Sequence, residues 1–321
     1  MADTENRGTG LRVAVTGATG DLGSLLLPLL VADPGVESVL ALDITPPPAR
    51  PKVEYRRLDL TFHDAERELS EALAERRVDA LYHLAFLFGP RRNVGFAHEV
   101  EVAGTMRVLA AAAGVGLPRL VLPSLTLVYG AHGQHAALLG EDAPLHGCPS
   151  SRFVTDKVEV ERQVETFRAR YPRTQVFLLR FAPFVGPHVN NPATRLLTRR
   201  LVPTLLGFDP LWQAVHEEDV GRALHLALRA KQGGTFNIVG KGVLPLSGMI
   251  RQAGGAPLPL PSPMARGLFR GLSNSGLKLV PLGLLDYLRY SWVADGSRAQ
   301  SALGFVPRFH TSEAVASLRR S

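Results

Sequence analysis

The sequence predicts an α/β protein built on a doubly wound parallel sheet, with a smaller lobe at its C-terminal end. Three observations carry this. Short apolar runs, LRVAVTG, VESVLALD, VEYRRLD, VDALYHLAF, LPRLVLPS and TQVFLLRF, alternate with segments of helical period, the pattern of parallel strands joined by crossover helices. A glycine-rich turn joins the first run to an apolar helical stretch, and the second run ends on an acid, Asp43.

The length bounds the rest. With 321 residues, 45% of them hydrophobic, the chain can bury one principal α/β core and a second, smaller lobe. The first unit is expected over residues 10–186. The second is expected over 187–321, with 212–240 returning to the main sheet, because Pro187, Pro192, Pro203 and Pro210 break the chain into short pieces before the HEEDVGRALHLALRA helix and the TFNIV strand. Segments 64–77 and 99–113, rich in Ala, Leu, Glu and Arg with apolar spacings of three and four, are predicted crossover helices. Residues 1–10 are predicted to be unstructured.

Composition also excludes. A single cysteine, Cys148, allows neither an intrachain disulfide nor a thiolate zinc cluster. The N-terminus lacks a basic start with an apolar core, and no window approaches about 20 apolar residues, so a cytoplasmic protein without an integral membrane segment is expected. The net charge of +7 is spread over scattered arginines rather than a basic stripe with interleaved aromatics, so no nucleic-acid partner is expected. Segment 254–291, rich in Leu and Pro, is read as a substrate lid; its prolines argue against a long amphipathic helix of the membrane-anchoring kind.

The strongest motif is Thr16-Gly17-Ala18-Thr19-Gly20-Asp21-Leu22-Gly23. Gly17 permits a tight turn, Gly20 lets a pyrophosphate approach the backbone, and Gly23 lets helix and strand pack closely, while the helix start presents free N–H groups to an anion. Asp43 lies about 20 residues beyond the last glycine, where a carboxylate accepts from ribose hydroxyls and repels a 2′-phosphate. No Arg or Lys follows it directly. The expected fold is therefore Rossmann-type, and the expected cofactor is NAD (NADH) rather than NADP.

These residues, with LDL at 58–60, YHLAF at 82–86, SLTLVYG at 124–130, Lys157, LRFAPFVGP at 179–187, HEEDVGRAL, FNIVG and the terminal ALGFVPRF, resemble the extended short-chain dehydrogenase/reductase superfamily of the NAD-dependent epimerase/dehydratase kind. The resemblance covers nearly the whole chain. It implies a C-terminal substrate lobe and a plausible homodimer, and it places cofactor contacts at Gly17, Thr19, Gly20, Asp21, Leu22, Gly23, Asp43, Asp59, Leu60, Leu84, Ala85, Lys157 and Phe181.

The catalytic part of that pattern is altered. Members usually carry Tyr-x-x-x-Lys, where the ammonium lowers the pKa of the tyrosine hydroxyl one helical turn away. Here Phe153 precedes Lys157, Leu125 takes the place of the companion Ser or Thr, and Glu101 stands where Asn is frequent. Lys157 and Ser124 are the catalytic candidates. As an ordinary helix lysine, Lys157 would pair with Glu161 four residues on. Thr126, Tyr129, His132 and His135 are secondary candidates for proton donor, the two histidines being read first as ordinary loop residues, no metal site is expected, and Glu217, Glu218 and Asp219 are read as helix-start acids complementing the dipole.

The leading expectation is an NAD(H)-dependent oxidoreductase, atypical in its active site, that reduces a carbonyl or oxidises an alcohol of a lipophilic, aromatic or prenylated small molecule. Two alternatives stand beside it: a nucleotide-sugar epimerase or dehydratase, and a non-catalytic NAD(H)-binding regulator.

Overall fold

The computed structural model describes residues 10–89, 93–274 and 282–320; the predicted tail, residues 1–9, lies outside them. In chain order the first unit runs β1 (Leu11–Thr16), α1 (Asp21–Ala32), β2 (Val36–Asp43), β3 (Val53–Arg57), α2 (Ala65–Glu75), β4 (Ala80–His83), α3 (Val94–His98), α4 (Gly104–Gly114), β5 (Arg119–Leu125), α5 (Arg152–Arg170) and β6 (Gln175–Phe181). The remainder adds β7 (Phe184–Val185), α6 (Pro192–Leu197), β8 (Leu201–Leu205), β9 (Leu211–Trp212), β10 (Val215–His216), α7 (Glu217–Ala227), β11 (Gly234–Ile238), β12 (Leu244–Pro245), α8 (Leu246–Gln252), β13 (Ala256–Leu260), α9 (Ser262–Asn274), α10 (Ser297–Leu303) and α11 (Thr311–Ala316).

Seven strands form one sheet in the order β11-β6-β5-β4-β1-β2-β3, parallel throughout. This is the Rossmann order, in which the chain reverses direction at β1 and opens a crevice between β1 and β4 at their carboxyl ends. The inner strands are apolar along their length because helices cover both faces. One face packs Leu69, Val108, Val160 and Phe167 of α2, α4 and α5 onto Leu40, Leu81 and Leu120. The other face joins Leu26 and Leu30 of α1 and Val220 of α7 to Val15 and Phe177, in a core that continues into Met249, Phe269 and Trp292 of the C-terminal lobe. The lobe is thus packed onto the sheet and not merely tethered to it. β11 joins the edge of the sheet beside β6, bringing α7 back against α1.

Two local departures from the sequence reading have physical causes. The helix predicted over 99–113 begins earlier, at Val94, and passes through a π-helical turn, Glu99–Ala103, before α4; such turns insert a residue and rotate the side chains that follow. Within 254–291, where prolines argue against a long amphipathic helix, a helix of thirteen residues, α9, forms. Pro257, Pro259 and Pro261 precede it and Pro263 falls in its first turn, where the missing N–H costs no intrahelical bond. Residues 275–281 of that segment, Lys278 among them, lie outside the described residues.

Candidate active site

The cofactor end is made of backbone. Gly17 has φ +68°, and a Cβ there would stand 2.3 Å from the amide nitrogen of Ala85. The turn after β1 therefore touches the chain leaving β4 at Leu84 and Ala85, directly at the sheet's switch point. A Cβ on Gly23 would meet the Ala18 carbonyl oxygen at 2.4 Å, so helix α1 closes onto the turn. No side chain caps α1, whose N-cap is Gly20; its first turn is backbone at Leu22 and Gly23. That arrangement fits a pyrophosphate, which takes its bonds from free amides and the positive end of the helix dipole.

Asp43 is held ready at the rim. Its Oδ2 accepts from Thr19 N at 2.8 Å and Thr19 Oγ1 at 2.9 Å, and its Oδ1 from Ile44 N at 2.7 Å. Oδ2 already accepts twice, whereas Oδ1 retains a second acceptor position, so a ribose hydroxyl can be bound there without breaking the turn. Asp59 instead folds its own loop, accepting from Thr61 N and Oγ1 at 3.0 and 2.7 Å. Leu60, Leu84 and Phe181 are buried in the core.

The chemical end is made of side chains drawn from distant segments. Lys157 is fully buried, and its ammonium donates to Glu101 Oε2. It does not pair with Glu161, as its spacing had suggested. The ammonium also sits over the Phe86 ring, 3.0 Å from the centroid, with the Phe153 ring 5.5 Å away. Glu101 accepts from the Leu87 amide through its other oxygen. Burial pushes the Lys157 pKa down to about 8 against the opposing pull of Glu101. Burial likewise raises the Glu101 carboxyl, with Lys157 opposing. Glu101 reaches this position because the π-helical turn rotates it inward; the sequence shows the residue but not the turn.

A chain of hydrogen bonds links the two ends. The Thr105 hydroxyl donates to the Glu101 carbonyl at 2.5 Å, so His83 Nε2, 3.1 Å from that hydroxyl, must be the donor to it. His83 Nδ1 is then the acceptor for Thr16 Oγ1 at 2.8 Å. Both nitrogens are used in the neutral ring, and burial, helped by the Lys157 charge, brings the His83 pKa down to about 3.

Ser124 is placed differently from Lys157. Its hydroxyl donates to Glu161 Oε1 at 2.5 Å inside a buried network, where Glu161 pairs with Arg180 at 2.6 Å, and Arg180 donates to the Tyr129 hydroxyl, itself a donor to Asn237. Strand alternation sends Ser124 toward α5 and Leu125 to the opposite face, where Leu125 joins the core. Glu161, expected to serve Lys157, locks β5, β6 and α5 together instead.

Other candidates resolve individually. The rings of His132 and His135 lie 5.2 Å apart and are joined by His146 at 5.1 and 5.9 Å; among the described residues no group of three or more His, Cys, Asp or Glu is arranged to hold a metal ion. Glu217, Glu218 and Asp219 all stand in the first turn of α7, where negative charge complements the helix dipole; Glu218 is exposed. Glu217 is buried against His188, and Asp219 accepts from Arg222 and from the amides of Arg308 and Phe309. Among the described residues no helix is long and apolar enough to cross a membrane.

Fold and site together define a Rossmann-type protein of the NAD-binding kind, with a glycine-rich turn at the sheet's switch point and a buried Lys157–Glu101 pair beside Phe153. The chain belongs to the NAD dependent epimerase/dehydratase family, whose model matches residues 13–239; the cofactor expected from the sequence is the one that names the family. An uncharacterized protein of Mycobacterium tuberculosis is 31% identical over 306 residues, covering 94% of this chain and 81% of that one. Among solved structures, MoeE5 in complex with UDP-glucuronic acid and NAD superposes with a TM-score of 0.74 at 25% identity, covering 96% of this chain and 98% of that one. The UDP-glucose 4-epimerase of Thermotoga maritima with UDP-glucose shares the fold, with a TM-score of 0.74 at 16% identity over 97% and 98% of the two chains. The lipophilic substrate expected from the sequence has no counterpart in these proteins.

Proposed function

We propose that this chain is an NAD(H)-dependent enzyme that exchanges hydride at a CH–OH or C=O carbon of a nucleotide sugar, as an epimerase or dehydratase does. The observation that carries the reading is the pairing of a complete cofactor crevice with a buried Lys157–Glu101 couple at the point where the usual tyrosine is missing. The nucleotide-sugar class is supported by MoeE5, whose structure holds UDP-glucuronic acid.

When bound, NAD supplies the hydride acceptor and donor. Gly17, Gly20 and the start of α1 would hold its pyrophosphate, Asp43 its adenine-side ribose, and Lys157 its nicotinamide ribose. The chain must then take up the hydroxyl proton released as the substrate carbon is oxidised, and return it on reduction. Phe153 has no atom for that role. In this proposal the Lys157–Glu101 couple takes it: burial has lowered the lysine and raised the acid, so the two share a proton that is exchangeable near neutral pH.

A second reading, an NAD(H) binder without turnover, is favoured by the Phe86 ring lying against the Lys157 ammonium. One experiment separates the two. Fluorescence titration should show NADH binding at least about tenfold tighter than NADPH, since Asp43 opposes a 2′-phosphate. Incubation with UDP-glucose, UDP-glucuronic acid or dTDP-glucose, followed by NMR of the sugar, should then show conversion of one of them. Tight NADH binding with no conversion of any sugar would overturn the proposal in favour of the second reading.

A further inference from the structure

Charge is distributed unevenly along the chain. Residues 220–285 contain eight Lys or Arg and no Asp or Glu, whereas the whole chain carries a net +7. The same stretch, with the strand β8 that pairs with it, carries large apolar side chains in solvent. On α9, Ala265 and Phe269 are buried, one turn apart, against the lobe. The outward face presents Met264, 61% exposed, and Leu268, 37% exposed, also one turn apart, with exposed Gly267 between them. In the β8/β13 pair, Leu201 lies opposite Ala256 and Pro203 opposite Leu258. Parallel register and strand alternation put Leu201 and Leu258 on one face of that sheet, where they are 56% and 38% exposed.

The cations here lack direct ion pairs, although Arg251 donates to Ser247 Oγ, which itself donates to Asp209. Arg266 on α9 and Arg251 at the end of α8 are exposed, and neither has a carboxylate within ion-pair distance among the described residues. Exposed leucines and methionine on a helix and an adjoining sheet, in a stretch with no acid for more than sixty positions of chain, give this part of the lobe exposed apolar groups and an excess of positive charge, Asp209 and Asp286 being acids that approach it from outside the stretch. Ordinary solvated faces interleave both signs of charge and expose apolar groups singly, whereas clustered ones mark an interaction surface.

We propose that the C-terminal lobe docks on an anionic phospholipid bilayer through the outward face of α9 and the adjoining β8/β13 pair. A bilayer surface matches both properties at once. Its negative headgroups attract Arg251 and Arg266, and its acyl boundary receives Met264, Leu268 and Leu258 without requiring any directional partner. A protein partner would instead have to supply carboxylates aimed at those two arginines. The docking leaves the cofactor crevice untouched, since α9 packs against the lobe and contributes nothing to the β1/β4 switch point.

The test is flotation of the full-length protein with large unilamellar vesicles of phosphatidylglycerol and phosphatidylcholine, beside vesicles of phosphatidylcholine alone. The protein should float with the anionic vesicles only. Met264→Ser/Leu268→Ser keeps every charge and should weaken flotation at least about tenfold, as burial of two apolar side chains is lost; Arg266→Glu should weaken it independently. NADH binding and the thermal melt of both variants should match the parent, which separates docking from folding. Equal flotation of the parent and the serine variant would reduce the effect to attraction of a basic protein and overturn the proposal. So would absence of flotation accompanied by self-association in sedimentation, which would assign the patch to a second copy of the chain.

Discussion

The crevice at the β1/β4 switch point and the pocket around Lys157 lie in one domain, yet they are built from different materials. The first is almost entirely backbone, with glycine at the points where no Cβ fits and one carboxylate, Asp43, pinned by Thr19. The second consists of long side chains from three segments, Phe86, Glu101, and Phe153 with Lys157 on α5, closed around a buried charge. A backbone site depends on a handful of local residues and survives change elsewhere. A side-chain site can be rewired by single substitutions, and here the loss of tyrosine at 153 coincides with a carboxylate at 101 that claims the lysine.

The sharpest way to break this contrast is at Gly17. Alanine there must adopt a positive φ and place its Cβ within bonding range of the Ala85 backbone, which cannot retreat as a side chain would. Left-handed strain and overpacking each cost about 1 to 3 kcal/mol, so Gly17→Ala should weaken NADH binding by more than about 100-fold. Fluorescence titration measures this, with a circular-dichroism melt to report how much is unfolding. Binding within threefold of the parent would mean that the turn is not the cofactor cradle.

The same contrast explains what could be read without a structure. The glycine turn and Asp43 follow from spacing over fewer than fifty residues, and the parallel sheet from alternating apolar runs and helical periods, because hydrophobic period and glycine chemistry are local. The pairing of Lys157 with Glu101 spans 56 positions and depends on a π-helical turn that no residue pattern announces. Spacing on a helix suggested Glu161 for the lysine; that acid is the mutual partner of Arg180 and Ser124 because β5 and β6 lie under α5. Likewise α9 escaped notice because its prolines are counted as helix breakers, although only their position relative to the first turn decides the outcome.

His83 bridges the two regions and gives the second test. Its folded pKa of about 3 lies below the ordinary value of 6.5, so between those values the unfolded chain binds a proton that the folded one refuses. Stability from this group is therefore complete above pH 6.5 and lost as pH falls toward 3, by about 3 to 5 kcal/mol in total. Urea unfolding at pH 7, 6, 5 and 4 should show that slope. His83→Gln, which can still accept from Thr16 and donate to Thr105, should flatten it. An unchanged slope in the variant would place the acid sensitivity elsewhere and cut the link between cofactor crevice and Lys157 pocket.

The smallest effect is the most discriminating. Restoring the missing hydroxyl by Phe153→Tyr places a phenol near an ammonium that Glu101 already holds, so turnover should change by less than about threefold although general acid–base groups contribute far more when correctly paired. Adding Glu101→Asn frees the lysine for the phenol, and Phe153→Tyr/Glu101→Asn should exceed the single variant by about tenfold or more. The pH profile reports the same competition. Glu101 raises the lysine pKa against burial, so Glu101→Gln should move the rising limb of activity from near pH 8 to lower pH. If Phe153→Tyr alone restores high turnover, Glu101 does not compete for Lys157, and the rewired pocket reduces to the simple loss of a hydroxyl.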